Sequence, residues 1–280
     1  MTLALACLTP EFVTLVADRR VTFGYDVLDD LATKVVVVCD RGAVAYSGLA
    51  RLPTRTLIDD CPRMDDWIVR ILTAHPVTTL SEAARVLCSE ATPLFRSFPV
   101  TVTPAQRRHA FMLAGWSLSS GGRRTPVLVT VSNALDERGE WLVTAEESFR
   151  QRVFANDPRK FSLHSIGAVV PQRTVDEVRR SLRRGFEKGI GPRSVLRMLV
   201  RAIRSVAIID SSVSMHLLGV CVPPCALESG PRTILAGGPQ PGSITFVDYK
   251  IPQEFGSWMG PHFVCGGSGL TGFMVGSLES

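Results

Sequence analysis

Residues 1–23 read MTLALACLTPEFVTLVADRRVTF, and this stretch decides the fold. Two short apolar runs, 2–8 and 12–18, flank Thr9-Pro10-Glu11, a tripeptide of turn composition. That pattern predicts a β-hairpin. A hydroxyl residue, Thr2, directly follows the initiator methionine. The second run ends abruptly in Asp18-Arg19-Arg20. Both features need a chemical reason.

Working outward, KVVVVCD (34–40) and GAVAYSG (42–48) are β-branched apolar runs separated by Arg41, a second hairpin whose strands read as buried. From Leu49 to about Ser97 the period changes. Apolar residues recur three and four apart in MDDWIVRILTAH and LSEAARVLCSEATPLF, which predicts two amphipathic helices, the second capped by Ser81. Strand character returns at 109–118, 125–133, 140–146 and 160–170. Two more helices follow. Val175, Val178, Leu182 and Phe186 form one apolar stripe opposite Arg179, Arg180, Arg183 and Arg184, and Val195 to Ala207 carries a wider stripe. SMHLLGVCV (214–222) is a last strand. Strands, helix pair, strands, helix pair, strand: the order predicts an α+β protein with two helix layers enclosing sheet. Residues 223–280 are rich in Gly and Pro, with strand-like TILAGG and SITFVDY. They read as a C-terminal extension to a domain spanning 1–222.

An apolar content of 45% with 20% charged residues is ordinary for a folded chain. The net charge of +5 is spread along the sequence, so nucleic-acid binding rests on charge alone and is the weakest functional class. RRSLRR (179–184) reads as a solvated face or a subunit contact, with no aromatic residues interleaved to stack bases. The start has no basic n-region or long apolar core, and windows such as VLRMLVRAIRSVAIID are interrupted by arginine, so neither secretion nor a membrane span is expected. Seven cysteines, an odd number, sit mostly inside apolar runs and predict free thiols in a reducing cytoplasm. CVPPC has no matching second pair, the five histidines show no ligand spacing, and GGSGLTG (266–272) lacks a βαβ unit. No metal or cofactor is expected.

If Met1 is trimmed, Thr2 presents a hydroxyl and a free α-amine that titrates near ~8, a general base for neutral pH. Adjacent strands would bring Asp18 and Lys34 to it, Asp18 orienting a lysine that activates Thr2. Gly48, ending the fourth strand, could turn a backbone N–H toward an oxyanion. Taken singly, Asp18 reads as a turn residue, Lys34 as an edge-strand gatekeeper and Gly48 as a helix-entry glycine.

Together these residues resemble the N-terminal half of a proteasome β-type subunit and its bacterial relatives, the N-terminal nucleophile hydrolases. The resemblance lies in Thr2, in ADRR with Asp18 and Arg20, in TKV with Lys34 and in YSG with Gly48, at intervals of 16 and 32 residues from Thr2 to Asp18 and Lys34. It covers roughly residues 2–222. It implies a four-layer αββα sandwich and a threonine peptidase with Thr2 as nucleophile, Lys34 as charge partner, Asp18 orienting it and Gly48 as oxyanion donor. Arg20, Asp210 and Ser214 would support them. It further implies a homo-oligomeric ring, a peptide or protein substrate, a regulatory partner such as an ATPase that the residues do not specify, and a primary pocket formed by Val21, Ala32 and Tyr46. That pocket would be shallow and uncharged. Two positions depart from the family: Ala168 stands where a serine is usual, and Val213 stands three after Asp210 where another is usual. The alternative they support is a catalytically silent relative acting as scaffold or assembly subunit.

Overall fold

The computed structural model describes residues 2–23, 26–30, 32–38, 41–53, 61–118, 124–136, 139–155, 160–224, 245–249, 258–259, 261–265, 268–270 and 273–274. Strands β1 (Leu3–Leu8) and β2 (Val13–Asp18) form the first hairpin, closed by the Thr9 hydroxyl donating to Phe12 O at 2.6 Å. A short ribbon of β3 (Val21–Phe23) and β4 (Asp26–Asp29) follows, then the second hairpin, β5 (Val35–Val38) and β6 (Gly42–Ser47). Helices α1 (Met64–Ala74) and α2 (Leu80–Arg96) lead to β7 (Ala110–Leu118), β8 (Arg124–Ser132), β9 (Arg150–Ala155) and β10 (Ser162–Gly167). Helices α3 (Gln172–Phe186) and α4 (Pro192–Ala207) precede β11 (Leu217–Val222). The chain ends in β12 (Thr245–Tyr249), β13 (Trp258–Met259), β14 (His262–Cys265), β15 (Ser268–Leu270) and β16 (Phe273–Met274). The molecule is α+β.

Two sheets carry most of these strands, one ordered β10-β1-β2-β11-β12 and the other β15-β14-β5-β6-β7-β8-β9. Their facing sides share a core that mixes alanines, among them Ala4, Ala6, Ala43, Ala45 and Ala114, with larger residues such as Leu15, Met112, Trp116 and Leu218. The alternation within each strand then decides what the outer faces meet. Val36, Val44 and Phe111 point the other way, into α1 and α2, where Trp67, Ile68, Leu72 and Leu87 close over them. Leu3, Leu5 and Val16 likewise meet Leu182, Leu196, Leu199 and Ile203 from α3 and α4.

Several expectations are corrected. Residues 140–146 are not a strand: Leu142 N–H bonds Ala134 O at 2.8 Å and Glu146 N–H bonds Asn133 O at 2.7 Å, so the segment folds back on its own loop. The edge position goes instead to β9, which two arginines disguise in sequence. The cap of α2 is Thr79, two residues before Ser81, in a full capping box with Glu82. Of the tail's described strands, β12 pairs with β11 and β14 with β5, one in each large sheet, while β13 and β16 pair with each other. TILAGG lies outside the described residues. Among the described residues, no helix is long and apolar enough to cross a membrane.

Candidate active site

The first hairpin places Asp18 beside the start of β1, because Ala17 lies opposite Ala4. The Asp18 carboxylate accepts from the backbone N–H groups of Leu3 at 2.8 Å, Arg20 at 3.0 Å and Ser214 at 3.2 Å. Lys34, just ahead of β5, extends between the sheets. Its ammonium donates to Thr2 Oγ1 at 2.7 Å, to the Arg20 carbonyl, and to Asp18 at 3.4 Å from each carboxylate oxygen. Three N–H donors thus meet a hydroxyl, a carbonyl and a carboxylate. The Lys34 side chain is wholly buried, which overturns its reading as an edge-strand gatekeeper. Burial lowers the Lys34 pKa below the ordinary lysine value, against the pull of the Asp18 carboxylate.

Thr2 is held by its backbone. Its carbonyl accepts from Ala168 N–H at 2.9 Å and from the Ser47 hydroxyl at 3.2 Å, so strands of both sheets fix the residue. Gly167 allows this approach: its φ is +100°, and a Cβ there would lie 1.7 Å from Thr2 O. Replacing Gly167 with alanine is therefore expected to cost about 2–4 kcal/mol, combining a positive-φ penalty with overpacking against fixed backbone. Thermal denaturation would report it, and an unchanged melting temperature would remove Gly167 from this role. Gly48, which follows Ser47, has φ +119°, and a Cβ on it would fall 2.4 Å from Arg108 O. Only glycine suits this turn.

Arg20 anchors a further group of charges next to Asp18. Its guanidinium grips Asp30 through Nε at 3.0 Å and Nη2 at 2.9 Å, while Nη1 donates to Ser211 O at 2.6 Å. Ser214 bridges the two carboxylates, its N–H on Asp18 and its hydroxyl on Asp30 at 2.6 Å. Burial acts to raise the Asp30 pKa, but the Arg20 and Ser214 hydrogen bonds outweigh it and the net shift is downward. Asp210 does not join this network by any contact seen among the described residues. Its carboxylate accepts from Ser212 N–H at 2.9 Å and Ser212 Oγ at 2.6 Å within its own loop. Ala168 and Val213, where the resemblance expects hydroxyls, both lie in the apolar cluster against α3 and α4.

The pocket residues Val21, Ala32 and Tyr46 are all buried. The Tyr46 ring, 1% exposed, turns toward α1 and α2 and stacks on His109 at 5.8 Å. Burial, and then the charge of Asp65, push its hydroxyl pKa well above the usual value. His109 lies among Phe95, Phe111 and Phe149, and burial lowers its pKa to about 3. Asp65, Asp66 and His262 have ligand atoms within 4.8 Å of one another, a grouping that spacing alone does not reveal. Arg63 already forks onto Asp65 at 3.0 and 2.7 Å and His262 bonds it at 2.9 Å, so this is an ion-pair network.

No family model and no curated protein matches this chain.

Sequence reasoning missed Asp30, Ser47 and the placement of Ser214. Asp30 lies four residues before Lys34 in a polar segment, indistinguishable from a turn acid until β4 folds back on β3. Ser47 was hidden because a serine before a glycine is usually only a turn residue.

Proposed function

We propose that this chain is a threonine-type N-terminal nucleophile hydrolase of the proteasome-like kind, with the four-layer αββα sandwich, that cleaves peptide bonds. The observation that carries the reading is the buried contact of Lys34 Nζ with Thr2 Oγ1 at 2.7 Å, backed by Asp18. A lysine held against a threonine hydroxyl in a site this dry favours the alkoxide electrostatically.

Removal of Met1 would free the Thr2 amine. The amine then takes the Oγ1 proton as the oxygen attacks the scissile carbonyl, and Lys34 as ammonium offsets the charge building on Oγ1. The carbonyl oxygen becomes the oxyanion, for which the Gly48 N–H is the assigned donor. Collapse expels the leaving amine, which receives the proton from the Thr2 ammonium, and leaves an ester on Oγ1. Water, deprotonated by the same amine, hydrolyses that ester. Asp18 and Arg20 O orient Lys34, and Arg20, Asp30 and Ser214 brace Asp18. Asp210 supports the adjacent loop only. The apolar character of Val21 and Ala32 suits small or medium apolar side chains before the scissile bond, while the Tyr46 ring packs against the helices. Assembly into a cytoplasmic homo-oligomeric ring belongs to the same reading.

The second reading, a silent scaffold, is favoured by Ala168 and Val213, whose apolar packing removes hydroxyls from the side of Thr2 facing α3 and α4. A β-lactone probe separates the two. Ring opening by Thr2 Oγ1 transfers the whole lactone as an ester, the ring oxygen leaving as a hydroxyl. Intact mass should therefore show Met1 absent and one added lactone, mapped to the N-terminal peptide. A retained Met1 with no adduct would favour the scaffold.

A further inference from the structure

Nearly all of the excess positive charge lies in one layer of the fold, which corrects the even spread read from the sequence. Between Gln172 and Ala207, α3, α4 and their five-residue link carry ten basic residues, nine of them arginine, against three acidic ones. That is a net +7 in a chain whose total is +5, so all other segments together come to −2. So short a link makes the two helices antiparallel neighbours. Both pack on the first sheet, through Val178, Leu182, Leu196, Leu199 and Ile203. Their outer faces therefore form one surface.

At about 3.6 residues per turn, Arg193, Arg197, Arg201 and Arg204 fall within one quadrant of α4, on the side opposite Val195, Leu199 and Val206. Ile208 continues that stripe, because it keeps helical dihedrals (φ −68°, ψ −32°) and its N–H bonds Arg204 O at 3.2 Å. It is 74% exposed, and Ile209 beside it is 70% exposed. Val169, just ahead of α3, is 82% exposed at the same end of the helix pair. Among the described residues, the exposed side chains of Arg183, Arg184, Arg193, Arg197 and Arg201 make no hydrogen bond or ion pair. By contrast, Arg173 is held by Glu177 at 3.0 Å and Arg204 donates to Met215 O at 3.3 Å. The surface is a field of uncommitted guanidinium groups that ends in exposed apolar residues.

We propose that the α3–α4 face is a docking surface for an anionic lipid bilayer, with its arginines on headgroup phosphates and Ile208 and Ile209 at the acyl boundary. The surface does not involve Thr2 and does not depend on the hydrolase reading. A second copy placed face to face about a two-fold axis would set like charges against one another. A nucleic acid would leave the isoleucines without a role. The helix pair's one aromatic residue, Phe186, packs inward on Phe12 and Phe161, so none is left to stack on bases. A lipid surface engages both parts. Guanidinium groups bind phosphate oxygens through paired N–H donors, and short apolar side chains settle at the headgroup boundary. The apolar stripes of both helices stay in the core, so attachment is peripheral.

Co-sedimentation of the full chain with vesicles tests it. Phosphatidylcholine vesicles carrying about 30% phosphatidylglycerol should be bound at least about tenfold more tightly than pure phosphatidylcholine, and the difference should shrink as salt rises toward ~0.5 M. Arg197→Gln with Arg201→Gln should weaken binding to the anionic vesicles about tenfold or more. Arg70→Gln with Arg85→Gln removes the same charge from exposed positions on α1 and α2 and should change it by less than about threefold. Ile208→Ser with Ile209→Ser should weaken binding about tenfold and leave its salt dependence in place. Circular dichroism confirms that each variant is folded. Absence of binding, equal binding to neutral vesicles, or equal losses in the two arginine pairs would overturn the proposal. So would unchanged affinity in the isoleucine pair, or tighter binding to duplex DNA at the same phosphate concentration.

Discussion

Thr2→Ala is expected to abolish peptide hydrolysis, by about 10⁴-fold or more, since no other group supplies the attacking oxygen. The fold should survive. Thr2 is tied in through its carbonyl, which alanine retains together with the bonds from Ala168 and Ser47. The substitution removes one acceptor for Lys34, yet Asp18 and the Arg20 carbonyl remain to hold the ammonium. Turnover of a fluorogenic peptide by the purified variant, measured beside an unchanged thermal melt, checks both halves. Residual activity near that of the parent would take Thr2 out of the mechanism.

Lys34→Ala should be almost as inactive, and unlike Thr2→Ala it should also destabilise the protein. Lys34 and Asp18 form an ion pair with neither side chain exposed, and removing one partner leaves a carboxylate buried without its counter-charge. Such losses run to about 3–5 kcal/mol. The three backbone N–H groups on Asp18 should keep this case at the lower end. Chemical denaturation gives the stability and peptide turnover the activity.

Lys34 also sets a pH dependence whose sign follows from its depressed pKa. The Thr2 amine must be neutral and Lys34 charged, so activity should rise as the amine deprotonates, around pH ~8 if unperturbed. It should fall again as Lys34 loses its proton, earlier than an ordinary lysine would. Lys34→Arg keeps the charge at every accessible pH and should lose the alkaline limb, whatever rate it retains. An alkaline limb that persists in Lys34→Arg would assign it to another group.

The hairpins were legible in the sequence because a strand's needs are local. Runs such as LALACL and VVVV are short and continuously apolar, and turn residues bound them. The placement of Asp18 beside Thr2 was legible for a related reason, because pairing of β1 with β2 returns those strand ends to one place, whereas Lys34 comes from the start of β5 in the other sheet and reaches them only across the sheet interface. Helices α3 and α4 declared themselves through stripes at helical spacing.

Other features depended on contacts between segments far apart in the chain. β9 reads as polar because it is the edge strand of its sheet, where Arg150, Gln151, Arg152 and Val153 are exposed, and which strand ends at the edge is decided only by the tertiary pairing. Tyr46 sits one residue from Ala45, which faces the opposite sheet, and that single step of register sends its ring toward the helices. Lys34 is buried because it meets Thr2 and Asp18 of the first sheet, although a lysine taken singly reads as an edge-strand gatekeeper. Ser214 reaches Asp18 across 196 residues, and His262 reaches Asp65 across 197. Local composition determined which segments became strands and helices. The meeting of charges between them was decided only when the sheets packed, because a hydrogen bond constrains atoms in space and leaves no period in the chain.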